Sequence, residues 1–582
     1  MKNFLKFYLE KLYERSRTLN LKIFLTSCKR HFNIPIFFLM IVNSIAVNQK
    51  KLIERIPEYV QEKKVGIETF NISRWIFSEG VQIKRARFLK ENCLEIKYEF
   101  KDNQKKIDID FMLPENHFEG ERIGFKLYGN GKKDKIEVWC KYRDSFIPLS
   151  MISLGQEKWQ IIEMPASSPI HLFYKSVDRI KFTIVNREDN PHSGKFYISQ
   201  MKFISPVLIQ GLTVRKPEKK QFLSFIFDTW GAGGNDEEIE KNVETIKNIG
   251  INLHIIPVSF PSDIPEKNIE NRKWLEGKIK SFMDKGIKIG ISFYNTPPDE
   301  FAKKHPELLM KNENGEIYDT GGFFLSPWHP EVEKLWVNYI IDTLNFLKER
   351  NLLEKIEVIM LCPGHESEIS YEWSHIWAFD ENAIASYRDY LKKKYRNNII
   401  FLNEDMGTDY KSFADIKPPK NFYPDREHWV FVDFYRLSML KWCVKLADAV
   451  KEVFTPSYWL WLPHTHPDYP GRFFSGRYPI FYIENLKKLD IVDYVHIPAL
   501  DWQSIDDVNL IKKMGVKVIG EVDVVPSPAR LEWTFNQSLK YGFDGVYIGI
   551  IENICRDGKL TEAGEICRKL IDVFKSKKGG EK

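Results

Sequence analysis

Close cysteine pairs, the usual mark of a zinc or iron–sulfur site, are missing from this chain. Its seven cysteines are scattered at Cys28, Cys93, Cys140, Cys362, Cys443, Cys555 and Cys567, so no structural metal and no cofactor is expected. Cys93 and Cys140 fall in one segment and would pair only in an exported protein of suitable geometry; free buried thiols are the favoured state. An excess of one charge is missing too. The 86 Lys and Arg against 80 Asp and Glu leave a net of +6 spread over 582 residues. Without a basic stripe interleaved with aromatics, there is no case for a nucleic-acid partner. The apolar segment Ile34 to Val42 is shorter than the ~20 residues of a comfortable membrane span.

What is present is an apolar fraction of 43%, ample for real cores, on a chain long enough for two or three domains. At the N-terminus, Lys29-Arg30 precede the apolar segment and Ser44-Ile45-Ala46 supplies small residues at signal-peptidase spacing. Residues 1–46 therefore read as an export signal, with secretion or cell-surface display as the consequence. An uncleaved signal anchor is the competing reading, because Lys50 and Lys51 follow at once, and it is the only route to a membrane partner. Residues 65–206 alternate like strands, as in Lys135-Ile136-Glu137-Val138-Trp139-Cys140, and turn signals such as Gly129-Asn130-Gly131 separate them. This predicts an antiparallel β-sandwich of the jelly-roll kind. Trp75, Trp139, Trp159 and Tyr174 are either its core or sugar-stacking platforms. A Lys- and Pro-rich stretch, Arg215 to Lys220, lies within residues 207–221, which read as a flexible linker and predict separable domains.

From residue 222 to about 575, strand and helix patterns alternate. Eight short apolar runs are candidate strands: Leu223 to Asp228, Asn252 to Val258, Ile287 to Tyr294, Ile356 to Cys362, Ser457 to Leu462, Tyr494 to Ala499, Val516 to Glu521 and Gly545 to Ile550. Amphipathic helical patterns lie between them, and eight such units predict a (β/α)8 TIM barrel with an enlarged loop after the fourth strand.

Two of these runs end in carboxylates. The fourth leads into Pro363-Gly364-His365-Glu366-Ser367-Glu368 and the seventh ends on Glu521. A lone glutamate after a strand is ordinarily a solvated loop residue. Two on separate strands of one barrel, however, meet the minimum for glycosidic cleavage: one protonates the leaving oxygen and one attacks or activates water. Retention calls for a separation of ~5 to 5.5 Å and inversion for roughly 6.5 to 9.5 Å. Other strand ends offer substrate contacts: Asp228 and Trp230 at the first, Asn295 at the third, His365 beside the acidic cluster, His464 after the fifth, His496 in the sixth, and Trp502 on the loop beyond it. The pair His464 and His466 has no third ligand, so no metal is expected there.

Several stretches of the barrel half carry a family resemblance. Ala385-Ser386-Tyr387-Arg388-Asp389-Tyr390-Leu391, Ser412-Phe413-Ala414-Asp415-Ile416-Lys417-Pro418-Pro419, Val432-Asp433-Phe434-Tyr435-Arg436, His305-Pro306-Glu307-Leu308-Leu309 and Asn314-Gly315-Glu316 resemble the corresponding parts of glycoside hydrolase family 42. Gly558 to Gly564 agrees as well. The resemblance implies a retaining β-glycosidase, typically a β-galactosidase, acting on a carbohydrate substrate through a nucleophile at the end of strand seven and an acid/base at the end of strand four. Glu521 takes the first position. Glu368 takes the second, with Glu366 as the alternative, placed to hold a sugar hydroxyl. The family's Asn-Glu at the acid position is replaced here by His365-Glu366 and Ser367-Glu368, and its cysteine-lined zinc site is absent. The N-terminal segment is similar in pattern to galactose-binding-like, carbohydrate-binding jelly rolls. Two further readings stand beside this one: a non-catalytic carbohydrate binder on a decayed barrel, and a hydrolase that cuts polysaccharides internally.

Overall fold

Between Gln61 and Val207 the alternating pattern forms two antiparallel sheets packed face to face, one of seven strands and one of five. The computed structural model describes residues 52–113, 122–142, 145–165, 177–188, 191–207, 226–230, 236–262, 264–319, 322–364, 369–372, 375–420, 425–461, 479–498, 505–521 and 527–579. Residues 1–46, expected to be an export signal, and Tyr174 lie outside them. Two compact units divide the chain, Met1–Arg55 and Ile56–Lys582, the second holding both sheets and the barrel. Among the described residues no helix is long and apolar enough to cross a membrane.

Alternation decides which side chains fill the sandwich. Leu94, Ile96 and Tyr98 on one strand and Ile180, Phe182 and Ile184 on another are all buried in a common core. Trp75 belongs to that core, stacked near Phe111 and Phe182 at 4.8 and 5.9 Å. Trp139 and Trp159 are only half-buried. Cys93 and Cys140 are buried free thiols, as expected of small apolar side chains in a sheet.

Eight parallel strands close the barrel in chain order: Ile226–Trp230, Leu253–Val258, Lys288–Tyr294, Ile356–Cys362, Ser457–Trp461, Tyr494–Pro498, Lys517–Glu521 and Gly545–Ile550. Each coincides with an expected run to within three residues at either end. Leu253, Ile255, Val358, Met360, Trp459, Tyr494, Ile519 and Tyr547 pack together inside. The helix after the second strand starts earlier than its periodicity suggests, at Pro265, because the added turns are polar and mostly solvent-facing. The enlarged loop after strand four carries the helices Glu381–Lys394 and Ile399–Met406 before the long helix Arg426–Val453.

At this long helix the sandwich and the barrel share a buried ion cluster. Arg122 of the sandwich, fully buried, reaches Glu163 at 3.2 Å, Glu62 at 3.3 Å and Asp433 of the long helix at 3.4 Å. Arg426 returns the contact from the barrel side, binding Glu163 at 3.2 Å, Asp405 at 2.9 Å and also Glu62. Lys394 and Arg436 complete a cluster in which Arg122, Arg426, Lys394 and Arg436 balance Glu62, Glu163, Asp405 and Asp433. The indole of Trp429 donates to the Glu163 carbonyl at 2.8 Å while the Arg122 guanidinium lies 5.0 Å from its ring. Burial opposes the ionised form of Glu62, yet Arg426, Arg122 and Lys394 together hold its carboxyl well below the usual range. A polar linker alone would leave the domains free; a buried, hydrogen-bonded ion cluster does not.

Candidate active site

Glu521 ends the seventh strand and is buried, with 5% of its surface exposed. Side chains two apart on a strand share a face, so Glu521 projects inward with Ile519, which belongs to the barrel interior. Its register partners are Pro498, the last residue of its strand, and Tyr547, midway along its own. The carboxylate thus stands at the C-terminal end of strand seven, level with Tyr547 at the top of the packed interior.

The fourth strand delivers its carboxylates differently. It stops at Cys362, and His365, Glu366 and Glu368 follow in sequence, outside the described residues. Described residues brace the chain before and after them. Before them, the Asn295 side chain donates to the Pro363 carbonyl at 3.2 Å and accepts from the Trp336 indole at 2.8 Å. Both Asn295 and Trp336 are buried. The Asn295 amide is therefore engaged in bracing the exit of strand four, where a sugar contact was expected of it.

After the loop, the chain is held from two sides. Tyr371 stacks on Tyr435 of the long helix at 3.7 Å, and the Trp377 backbone N–H donates to the Tyr435 hydroxyl at 2.9 Å. The Trp377 indole donates to Glu372 at 3.0 Å. Glu313 accepts from the Ile376 N–H at 2.8 Å and pairs with His375 Nδ1 at 2.8 Å. Burial alone would lower the His375 pKa, but the Glu313 carboxylate outweighs it and the net shift is upward.

Glu313 is presented by a tight turn that the Asn314-Gly315-Glu316 motif builds. Asn312 accepts from the N–H groups of Asn314 and Glu316 at 3.0 and 2.9 Å, and donates to the Glu316 carboxylate at 2.8 Å. Gly315 sits at φ +85°, which a side chain would strain. Glu313, Glu372, Trp336 and Tyr435 were not singled out by sequence reasoning. Two of them, Glu313 and Tyr435, lie beside or in the motifs of the resemblance, which is the signal that points to them.

The remaining candidates divide. Asp228 and Trp230 sit on the first strand, in register with Leu253 and Tyr547 and with Ile255 and Ile550. His496 is fully buried within the sixth strand, 4.6 Å from the Trp459 ring and 4.8 Å from that of Tyr547. It is part of the barrel interior, a layer below Glu521, because strand alternation carries it inward beneath Pro498. His464 and Trp502 lie outside the described residues. Among the described residues no group of three metal-ligating side chains comes together.

Comparison with known proteins now bears on this geometry. Residues 225–507 match the family model of glycoside hydrolase family 42, described as beta-galactosidase. Over that stretch, just under half of the chain, the barrel is similar to glycoside hydrolase family 42. The Geobacillus beta-galactosidase BgaB is 25% identical over 272 residues, 44% of this chain and 37% of that protein. Beta-galactosidase BbgII of Bifidobacterium bifidum is 22% identical over 231 residues, 38% of this chain and 31% of that one. The chain spans under two fifths of the length of these curated relatives. Among solved structures, the catalytic domain of beta-amylase from Paenibacillus polymyxa superposes with a TM-score of 0.51 at 17% identity, covering 60% of this chain and 98% of that domain. That likeness concerns the barrel fold alone. The family 42 match covers the first six strands and the acidic loop and ends before Glu521.

Proposed function

We propose that this protein is a retaining β-glycosidase of the β-galactosidase type, with Glu521 as nucleophile and Glu368 as acid/base. The observation that carries the reading is the position of Glu521: buried, inward-facing, at the C-terminal end of strand seven of a barrel whose first six strands match family 42. In the reaction, Glu368 protonates the glycosidic oxygen while Glu521 attacks the anomeric carbon and forms a glycosyl ester. Glu368 then removes a proton from the water that releases the sugar.

A screen of the purified full chain against chromogenic β-glycosides tests this reading. Turnover of at least one, lost in Glu521→Gln and restored by azide with inverted product, supports it. No turnover of any would favour a carbohydrate binder on a decayed barrel. We further propose that the segment through Ala46 exports the protein; N-terminal sequencing of the mature chain, expected to begin at Val47, checks this.

A further inference from the structure

The chemistry proposed above makes no use of the outer face of the seven-stranded sheet. Cross-strand register sets Trp159 opposite Tyr128, Tyr128 opposite Tyr197, Tyr197 opposite Glu95 and Glu95 opposite Lys84. This is one transverse row across five strands. Phe88 lies flat on Tyr197 at 4.1 Å and 3°, and Tyr128 and Trp159 meet edge to face at 5.6 Å. The rings of Phe88, Tyr128 and Trp159 remain only half-buried. The charged end of the row is closed on itself, since Glu95 accepts from the Tyr197 hydroxyl and pairs with Lys84, both at 3.1 Å.

Two rows further along the same strands the face descends into a cavity. Lys126 stands opposite Ile161, and Gly124 stands between Glu163 and Lys202. These positions floor a space of about 450 Å³, whose wall is supplied by the barrel through Glu404, Asp405 and Arg426. That volume falls within the ~300–1,000 Å³ of small-molecule sites. Gly124 lets Ile204 and Glu163 pack across the floor, since a Cβ there would meet Ile204 Cδ1 at 2.7 Å, and Gly407 of the barrel packs near Ile161.

Five basic and four acidic side chains line the cavity. Several are already paired: the partly exposed Lys126 with Glu91 at 2.6 Å, and the buried Arg426 with Asp405 at 2.9 Å and Glu163 at 3.2 Å. With five against four, a strongly charged ligand finds a field close to balance here. A neutral molecule rich in hydroxyls does fit, because paired charges keep spare donors and acceptors and the adjoining rings accept apolar C–H faces.

We propose that this groove is a non-catalytic binding site for a neutral oligosaccharide, which lies over Trp159 and Tyr128 and runs into the cavity against the Ile399–Met406 helix. Floor and wall come from different domains, so the site exists only while the Arg122 cluster holds them together. The nature of the ligand rests on the glycosidase reading; the groove itself does not.

The experiment uses the full chain carrying Glu521→Gln, which silences hydrolysis, in native electrophoresis through gels containing soluble β-galactan, β-mannan, β-glucan or xylan. At least one polymer should retard the protein. Trp159→Ala in that background should weaken the retardation about tenfold, the scale of one lost ring contact, and Trp159→Leu gives the same loss should the alanine variant not fold. Glu404→Ala should weaken it as well. In the native background both substitutions should leave turnover of small aryl glycosides unchanged. No retardation by any polymer, or retardation indifferent to Trp159, overturns the proposal, and sensitivity to Trp159 without sensitivity to Glu404 overturns the shared wall. Retardation that persists in a chain unable to turn over any aryl glycoside leaves the groove standing and sinks the glycosidase reading.

Discussion

The two strand ends that carry the proposed catalytic carboxylates are built in contrasting ways. Glu521 is the last residue of its strand, and its direction follows from register with Pro498 and Tyr547 and from alternation with Ile519. Glu366 and Glu368 follow strand four by four and six positions in sequence, outside the described residues. The described residues on either side of them are braced by side chains: Asn295 and Trp336 before, Glu313, Glu372 and Tyr435 after. A nucleophile on the sheet needs little support, whereas an acid on a loop needs a surrounding scaffold. Tyr435 adds a further link, because it lies on the long helix two residues from Asp433, which binds Arg122 of the sandwich.

Glu521→Gln removes the ester-forming group and keeps the size of the side chain. Turnover should fall by roughly 10⁴-fold or more with an unchanged melting temperature; near-normal turnover would end the assignment. Glu368→Ala comes next, at roughly 10²- to 10⁴-fold, and only for poor leaving groups, since activated aryl glycosides need no proton. If Glu366→Ala shows that dependence instead, the acid is Glu366.

Arg122→Met probes the scaffold rather than the chemistry. Leaving Glu62, Glu163 and Asp433 without their guanidinium should cost about 3–5 kcal/mol, read as a lower denaturant midpoint, and a chain starting at residue 221 should be less stable still. The same cluster sets an acid limit. Glu62 titrates lower in the fold than its unfolded value of 4.5, so its contribution is complete above that value and disappears as the pH falls through the folded pKa. An interface indifferent to acid would argue that the cluster is solvated.

Asn295→Ala should cost about 1–3 kcal/mol of transition-state stabilisation through the unpaired Pro363 carbonyl and Trp336 indole. The loss should appear in kcat with KM nearly unchanged; a rise in KM alone would return Asn295 to a sugar-binding role. The smallest effect belongs to His375. Its pKa is raised in the fold, so its pairing with Glu313 is fully present below 6.5 and lost as the pH rises through the folded value. His375→Gln should abolish that alkaline loosening of the loop, followed by the melting temperature from pH 6 to 9.

Sequence by itself determined the order of strands and helices, the sandwich-then-barrel architecture and the position of Glu521, because each depends on local periodicity or on the last residue of an apolar run. Leu253, Ile255, Val358 and Met360 declare their strands without knowledge of any neighbour. Tertiary structure alone decided that Asn295 braces a loop, that His496 is interior, and that Arg122 finds Asp433 on the long helix 311 residues away. Partners that far apart leave no pattern in a window of residues. A linker as polar as Arg215 to Lys220 looks the same whether the domains beside it are free or joined by a buried ion cluster.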